Sequence, residues 1–288
     1  MTAIPIPGFC EPISSITHLA AAVAALIGVI FLYRRGHGNN TRFFSLSIFS
    51  FSLVFLFSMS GVYHLLDRNT VARDVFQRLD HAAIWTLIAG TFTPIHALLF
   101  RGVWRWGFLL IIWTIAIVGL VLEVIFFTDI PEWLSLCFYL AMGWMGVLSG
   151  WKYAKEYDLA GAKSLMKGGL AYSIGAILEF FGWPVIIAGV LGPHEIFHLL
   201  IIVAASYHWY FVYERAGHPV INKLVVDVIE RPNSIFIAHA RGEKMTMEAP
   251  SLDAIKVQLR EEIARRFPKY LLPDSVVLKL SKEDLIIL

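Results

Sequence analysis

The chain has 288 residues, 57% of them hydrophobic and only 16% charged, a balance that excludes an ordinary soluble domain and points to a membrane protein. Half of the 24 Lys and Arg fall after Tyr213, which sets a boundary near residue 215. These late basic residues are offset by eleven acidic ones from Glu214 onward, so no nucleic-acid partner is expected, and Cys10 and Cys137 make no disulfide framework.

Apolar windows able to cross ~30 Å of hydrocarbon, about 20 helical residues each, fall near 16–33, 43–66, 78–100, 104–127, 131–151, 168–190 and 194–213. The first run, Leu19 to Leu32, has no basic segment before it and Arg34-Arg35 instead of a cleavage site after it, so it reads as a retained helix. The breaks between windows are polar or carry turn residues: Arg34–Arg42, Asp67–Arg78, Arg101-Gly102, Asp129-Ile130-Pro131, a Lys-rich loop over 152–167, and Gly192-Pro193. The pattern predicts an all-α integral membrane protein, with a seven-transmembrane helix bundle over 1–214 and a small tail over 215–288. In the tail, strands are expected at 224–230, 234–240 and 274–280, and a helix capped by Ser251 running to about Phe267, a small α+β unit.

With seven spans, the start of the first, the end of the second and the starts of the third and seventh share one membrane face. Glu11, His18, Ser60, His64, Asp80, His81, His194, Glu195 and His198 all fall at those ends. Polar side chains are costly near a bilayer, and such a gathering marks a functional site. His194 and His198 are four apart on a helix that Pro193 suits as a first residue, so their imidazoles leave the same side one turn apart. Ser60 and His64 repeat that spacing, and His64 would complete a three-histidine site. Three protein ligands with an open position is the pattern of catalytic zinc, which lowers the pKa of a bound water to about 7. Asp80 is then the natural group to hold the water, orient a ligand or act as general base. A single histidine in a bundle is more often a packing residue, and His96 and His208 are read that way. His194–His198 also spells the H-E-x-x-H string of zinc proteases, but no intramembrane Asp follows His198 to serve as the third ligand of an intramembrane metalloprotease.

Four blocks in order, Glu11-Pro-Ile-Ser-Ser-Ile-Thr-His18, Ser60-Gly-Val-Tyr-His64, Leu79-Asp-His-Ala-Ala-Ile84 with Ile88–Pro94, and His194-Glu-Ile-Phe-His198, resemble the hemolysin III branch of the progestin and adipoQ receptor (PAQR) family. That group also includes alkaline ceramidases. The resemblance covers about residues 10–213. It implies zinc on His64, His194 and His198, with Asp80 and Ser60 near the metal-bound water, and hydrolysis of a lipid amide such as a ceramide. Glu123 and Glu179, acids inside spans four and six, depart from the family pattern; Glu123 is placed to snorkel from a helix end, and Glu179, deeper, to be protonated or to face the cavity.

The loops on the site face carry three Lys or Arg (Arg68, Arg73, Arg78) and those on the other face nine (Arg34, Arg35, Arg42, Arg101, Arg105, Lys152, Lys155, Lys163, Lys167). The positive-inside rule places the amino terminus and the site outside a plasma or inner membrane and the tail in the cytoplasm. The adiponectin-receptor resemblance implies the reverse. The expected function is a zinc-dependent hydrolase of a membrane-lipid amide or ester, in which Asp80 manages the proton and Ser60 positions water or substrate. The alternatives are a lipid or steroid receptor with a structural zinc and a cytolytic or channel protein.

Overall fold

A computed structural model of the chain describes residues 3–37, 39–157, 159–217, 223–231, 235–241, 243, 245–267, 272–273 and 275–282. Eight helices come first: α1 Pro12–Gly36, α2 Asn40–Leu65, α3 Val71–Leu99, α4 Val103–Ile125, α5 Glu132–Trp144, α6 Gly146–Glu156, α7 Leu159–Phe181 and α8 Pro193–Ala216. Six helical segments are long and apolar enough to cross a membrane: α1 to α4, the stretch Glu132–Glu156 made by α5 and α6, and α8. The α7 helix matches α4 at 23 residues, but Lys163, Lys167 and Glu179 interrupt its apolar run and leave it outside those six.

The starts are locally encoded. Pro12 and Pro193 open α1 and α8, where a missing N–H costs nothing. The side chains of Asn39 and Thr70 accept from the backbone N–H of Arg42 and Arg73 and cap α2 and α3. Two expectations are corrected. The Lys-rich stretch expected as a loop over 152–167 is the end of α6 and the first turns of α7. The sixth apolar window, expected to run to 190, leaves the helix at Phe181, because Gly182 and Gly189 take positive φ and Pro184 cannot continue a helix.

Helix α3 is the axis of the bundle: from Ala82 to Phe100 most of its side chains are buried. It packs against α2 and α4, while α1 lies on α2 and α8 lies on α7 and α1. Close approach is set at a few glycines. A Cβ on Gly61 would come 2.7 Å from Leu19 Cγ, and Ser15 Oγ donates to the Gly61 carbonyl at 2.8 Å, so α1 and α2 meet nearly backbone to backbone.

Beyond α8 the described residues form a four-stranded sheet in the order β3-β2-β1-β4, with β1 Lys223–Glu230, β2 Phe236–Ala240, β3 Thr246–Ala249 and β4 Ser275–Lys282. The first residues of two expected strands, 234 and 274, lie outside the described residues, and β3 was not expected. Helix α9, Leu252–Arg266, begins on Ser251, whose Oγ accepts from the Ala254 N–H at 3.1 Å, and carries the chain to β4, which pairs parallel with β1. Leu224, Val226 and Val228 alternate into the sheet core and meet Ile255, Leu259 and Ile263 at helical spacing. This unit touches the bundle through an Arg42–Glu243 ion pair at 3.4 Å and through Tyr157, which packs on both cores.

Candidate metal centre

Two helix ends build the site. His64 sits in the last turn of α2, and His194 and His198 lie in the first turns of α8. The entry of α8 is held by Glu195, whose carboxylate accepts from the Gly192 N–H at 2.9 Å, so this acid of the site face caps the helix. The segment before α1 is pinned to the end of α2 by Glu11 N–H to His64 O at 3.0 Å and Cys10 N–H to Leu65 O at 3.2 Å.

His64, His194 and His198 form a group able to hold a metal ion. The Nε2 atoms of His64 and His194 are 3.4 Å apart, and those of His194 and His198 3.0 Å. Tetrahedral zinc, with bonds of about 2.0–2.1 Å, sets nitrogen ligands roughly 3.3 Å apart. The far side of two rings is tied to carboxylates: His64 Nδ1 pairs with Glu11, and His194 Nδ1 lies 3.0 Å from Glu179 Oε1. A carboxylate accepts a hydrogen bond from Nδ1–H and so leaves the Nε2 lone pair pointing inward, the tautomer a metal requires. Lone pairs converging at this distance repel unless a cation lies among them. The donor set therefore fits a borderline-soft divalent metal such as zinc.

Glu11 is itself clamped. Its Oε1 accepts from Arg73 at 2.9 Å and from Arg68 at 3.2 Å, and Arg73 also donates to the Leu66 carbonyl at 2.6 Å. Burial acts to raise the Glu11 pKa, but the hydrogen bond and charge of His64 and the Arg73 guanidinium outweigh it and hold the carboxyl at about 2. It is an anion under any physiological condition.

Ser60 is buried one turn before His64, and Asp80 lies on α3. Asp80 is not one of the three grouped ligands. Its charge is felt at His64 and His194. The site is closed on one side, where His64 and His198 are 1% and 3% exposed, and open on the other, where the side chains of His194 and Glu179 are 40% and 35% exposed.

The remaining polar residues sort themselves. Glu179 does face the site. Glu123 does not snorkel: it is buried, accepts from Ser135 Oγ at 2.9 and 3.0 Å, and lies 3.3 Å from His81 Nδ1, tying α3, α4 and α5 together. His96 bonds to the Trp104 carbonyl and to Ser149, and His208 lies 3.2 Å from the Leu165 carbonyl, both as packing residues. Sequence reasoning grouped Glu11 and Glu179 with the site but missed their partners and overlooked Arg73, which reads in the sequence as an ordinary loop charge.

The fold and this centre define a multi-pass helical membrane protein with a three-histidine cluster fit for a metal. A family model described as "Haemolysin-III related" matches residues 9–209, and the chain belongs to that family. It is 30% identical over 204 residues to Hemolysin-3 of Bacillus cereus, covering 70% of this chain and 90% of that protein. It is 31% identical over 175 residues to the Hemolysin-3 homolog of Bacillus subtilis (strain 168), covering 60% of this chain and 80% of that one. The matched region holds the whole site and ends before the sheet.

Proposed function

We propose that the protein is a zinc-dependent hydrolase of a membrane-lipid amide or ester. The observation that carries this is the convergence of three imidazoles, with His194 Nε2 at 3.4 Å from His64 Nε2 and at 3.0 Å from His198 Nε2, near an aspartate outside that group. Bound there, zinc would act as a Lewis acid toward a carbonyl and bring the pKa of a water to about 7. The chain supplies the rest. The exposed His194–Glu179 edge admits a substrate carbonyl from the membrane face, while buried His64 and His198 keep solvent off the opposite side. Asp80 accepts the proton of the attacking water on its carboxylate and passes it to the leaving nitrogen or oxygen. Ser60, buried one turn before His64, positions the water or the substrate beside that carboxylate.

On this reading α7 is the seventh span, its Lys163 and Lys167 at one membrane face and Glu179 at the other. The amino terminus and the site lie outside a plasma or inner membrane, and residues 215–288 form a soluble cytoplasmic unit, as the excess of Lys and Arg on the opposite loops supports. The names of the Bacillus relatives suggest a second reading, a cytolytic protein. No ring of charges lines a passage among the described residues, and the histidine cluster favours the hydrolase.

The test is the metal content of protein purified without chelator, beside a His194→Ala/His198→Ala variant, followed by a screen of lipid amides and esters. One zinc per chain, lost in the variant, with hydrolysis of a lipid in the screen, is the expected result. Zinc without hydrolysis would leave a structural metal in a receptor, and reproducible ion conductance in bilayers would favour the cytolytic reading.

A further inference from the structure

Two of the three candidate ligands have carboxylates behind them, but the third does not. Behind His198 stands a fourth histidine, His18 of α1, 1% exposed. Its Nδ1 is 3.2 Å from His198 Nδ1, and its Nε2 is 3.3 Å from the backbone carbonyl of His198. The two rings are tilted by 41° at a centroid separation of 4.0 Å, and Phe57 packs edge-to-face on His18 with centroids 5.2 Å apart.

These two contacts fix where the protons are. A carbonyl oxygen only accepts, so His18 Nε2 must carry the proton that donates to it. A neutral imidazole has one N–H, so His18 Nδ1 is then a bare acceptor. The Nδ1 of His198, facing that acceptor, must donate. This leaves His198 Nε2 with its lone pair directed at the Nε2 of His194, 3.0 Å away. The other proton arrangements place two N–H groups or two lone pairs against each other at 3.2 Å in a buried pocket, at the cost of an unmade hydrogen bond.

We infer that His18 is a positioning residue of the metal centre: it reads the backbone carbonyl of His198 and relays that single hydrogen-bond polarity through its own ring, locking His198 in the tautomer that presents Nε2 to the metal. This rests on the metal-centre reading above. His18 does not touch the metal, because its Nδ1 is occupied by His198 Nδ1 and its Nε2 by the carbonyl. The relay performs for His198 what Glu11 does for His64 and Glu179 for His194, but with a neutral group. The centre thus receives two carboxylate-backed imidazoles and one that is not, and buried His198 needs no compensating charge beneath it. A third carboxylate at position 18, sealed under Phe57, would be an anion without a cation partner.

The experiment compares zinc affinity, by chelator competition on detergent-solubilised full-length protein, in wild type, His18→Asn and His18→Phe, with the visible spectrum of the cobalt-substituted proteins as a second readout. The Asn side-chain oxygen stands near the place of His18 Nδ1 and keeps the acceptor; Phe keeps the ring and removes it. Expected are a loss of roughly 10–100-fold in affinity for His18→Phe, near wild-type affinity for His18→Asn, and unchanged cobalt band positions in both, since the ligand set is the same. Equal affinity in all three proteins, or equal loss in both variants, overturns the relay. A cobalt spectrum that loses a nitrogen ligand in both variants overturns it in favour of His18 as a ligand. If His18→Phe does not fold, His18→Leu takes its place, with helical circular dichroism as the fold check. Wild-type protein that binds no zinc removes the centre and the relay together, whereas zinc bound equally by all variants removes the relay alone.

Discussion

Glu179 Oε1 lies 3.0 Å from His194 Nδ1, across the gap between α7 and α8. This pair is the exposed counterpart of the buried Glu11–His64 pair, and it sits at the open edge of the site. Replacing Glu179 with Gln keeps an acceptor but removes the charge that raises the basicity of the ligand. Zinc affinity should fall about 10-fold in Glu179→Gln and up to about 100-fold in Glu179→Leu, measured by chelator competition. Equal affinity in both variants and wild type would make the contact incidental.

On the proposed mechanism, Asp80 separates binding from chemistry. Asp80→Asn should retain the full zinc content, because Asp80 is not among the grouped ligands, and should lose on the order of 10²-fold or more of any hydrolytic rate with the loss of its base. Metal analysis and turnover on the same preparation check both halves. Loss of zinc in Asp80→Asn would make the residue a ligand instead.

Glu123 is a structural acid. Glu123→Leu strands Ser135 Oγ and His81 Nδ1 and should cost about 1–3 kcal/mol, read as a lower thermal midpoint in detergent. Zinc content should not change. A parallel loss of zinc would connect this network to the metal centre.

The close contact at Gly61 transmits to the site. Gly61→Val places atoms where Leu19 now lies, with the Leu19 backbone nitrogen only 3.0 Å from a new Cβ. Overpacking of this kind costs about 1–3 kcal/mol. By moving α1 from α2 it should also separate His18 and Glu11 from their partners, so zinc affinity and thermal midpoint should fall together.

The orientation is checked by a reporter at the carboxyl terminus. The nine-to-three excess of Lys and Arg on the loops away from the site predicts a cytoplasmic reporter and an extracytoplasmic metal centre. A translocated reporter reverses both.

The sequence by itself determined the apolar windows and the polar side chains at their ends, because these are local properties. Gly192-Pro193 and the polar breaks mark chain positions directly, and the i, i+4 spacing of His194 and His198 aligns two imidazoles on any helix. Where local signals conflicted it was misleading: the apolar residues after Phe181 resemble a continued span, yet Gly182 and Pro184 turn them into a loop, and the lysines of 163 and 167 resemble a loop yet lie in α7.

Only the tertiary structure decided the pairings. His64 meets Glu11 across 53 positions, His194 meets Glu179 across 15, and His198 meets His18 across 180. In lipid, apolarity cannot choose which helix lies beside which, since acyl chains are as apolar as leucine. The choice falls to close packing at small residues such as Gly61 and to hydrogen bonds that every buried polar group must make. Those are matters of three-dimensional fit, and they bring an unassigned histidine and two glutamates from separate parts of the chain behind the three histidines of one candidate metal centre.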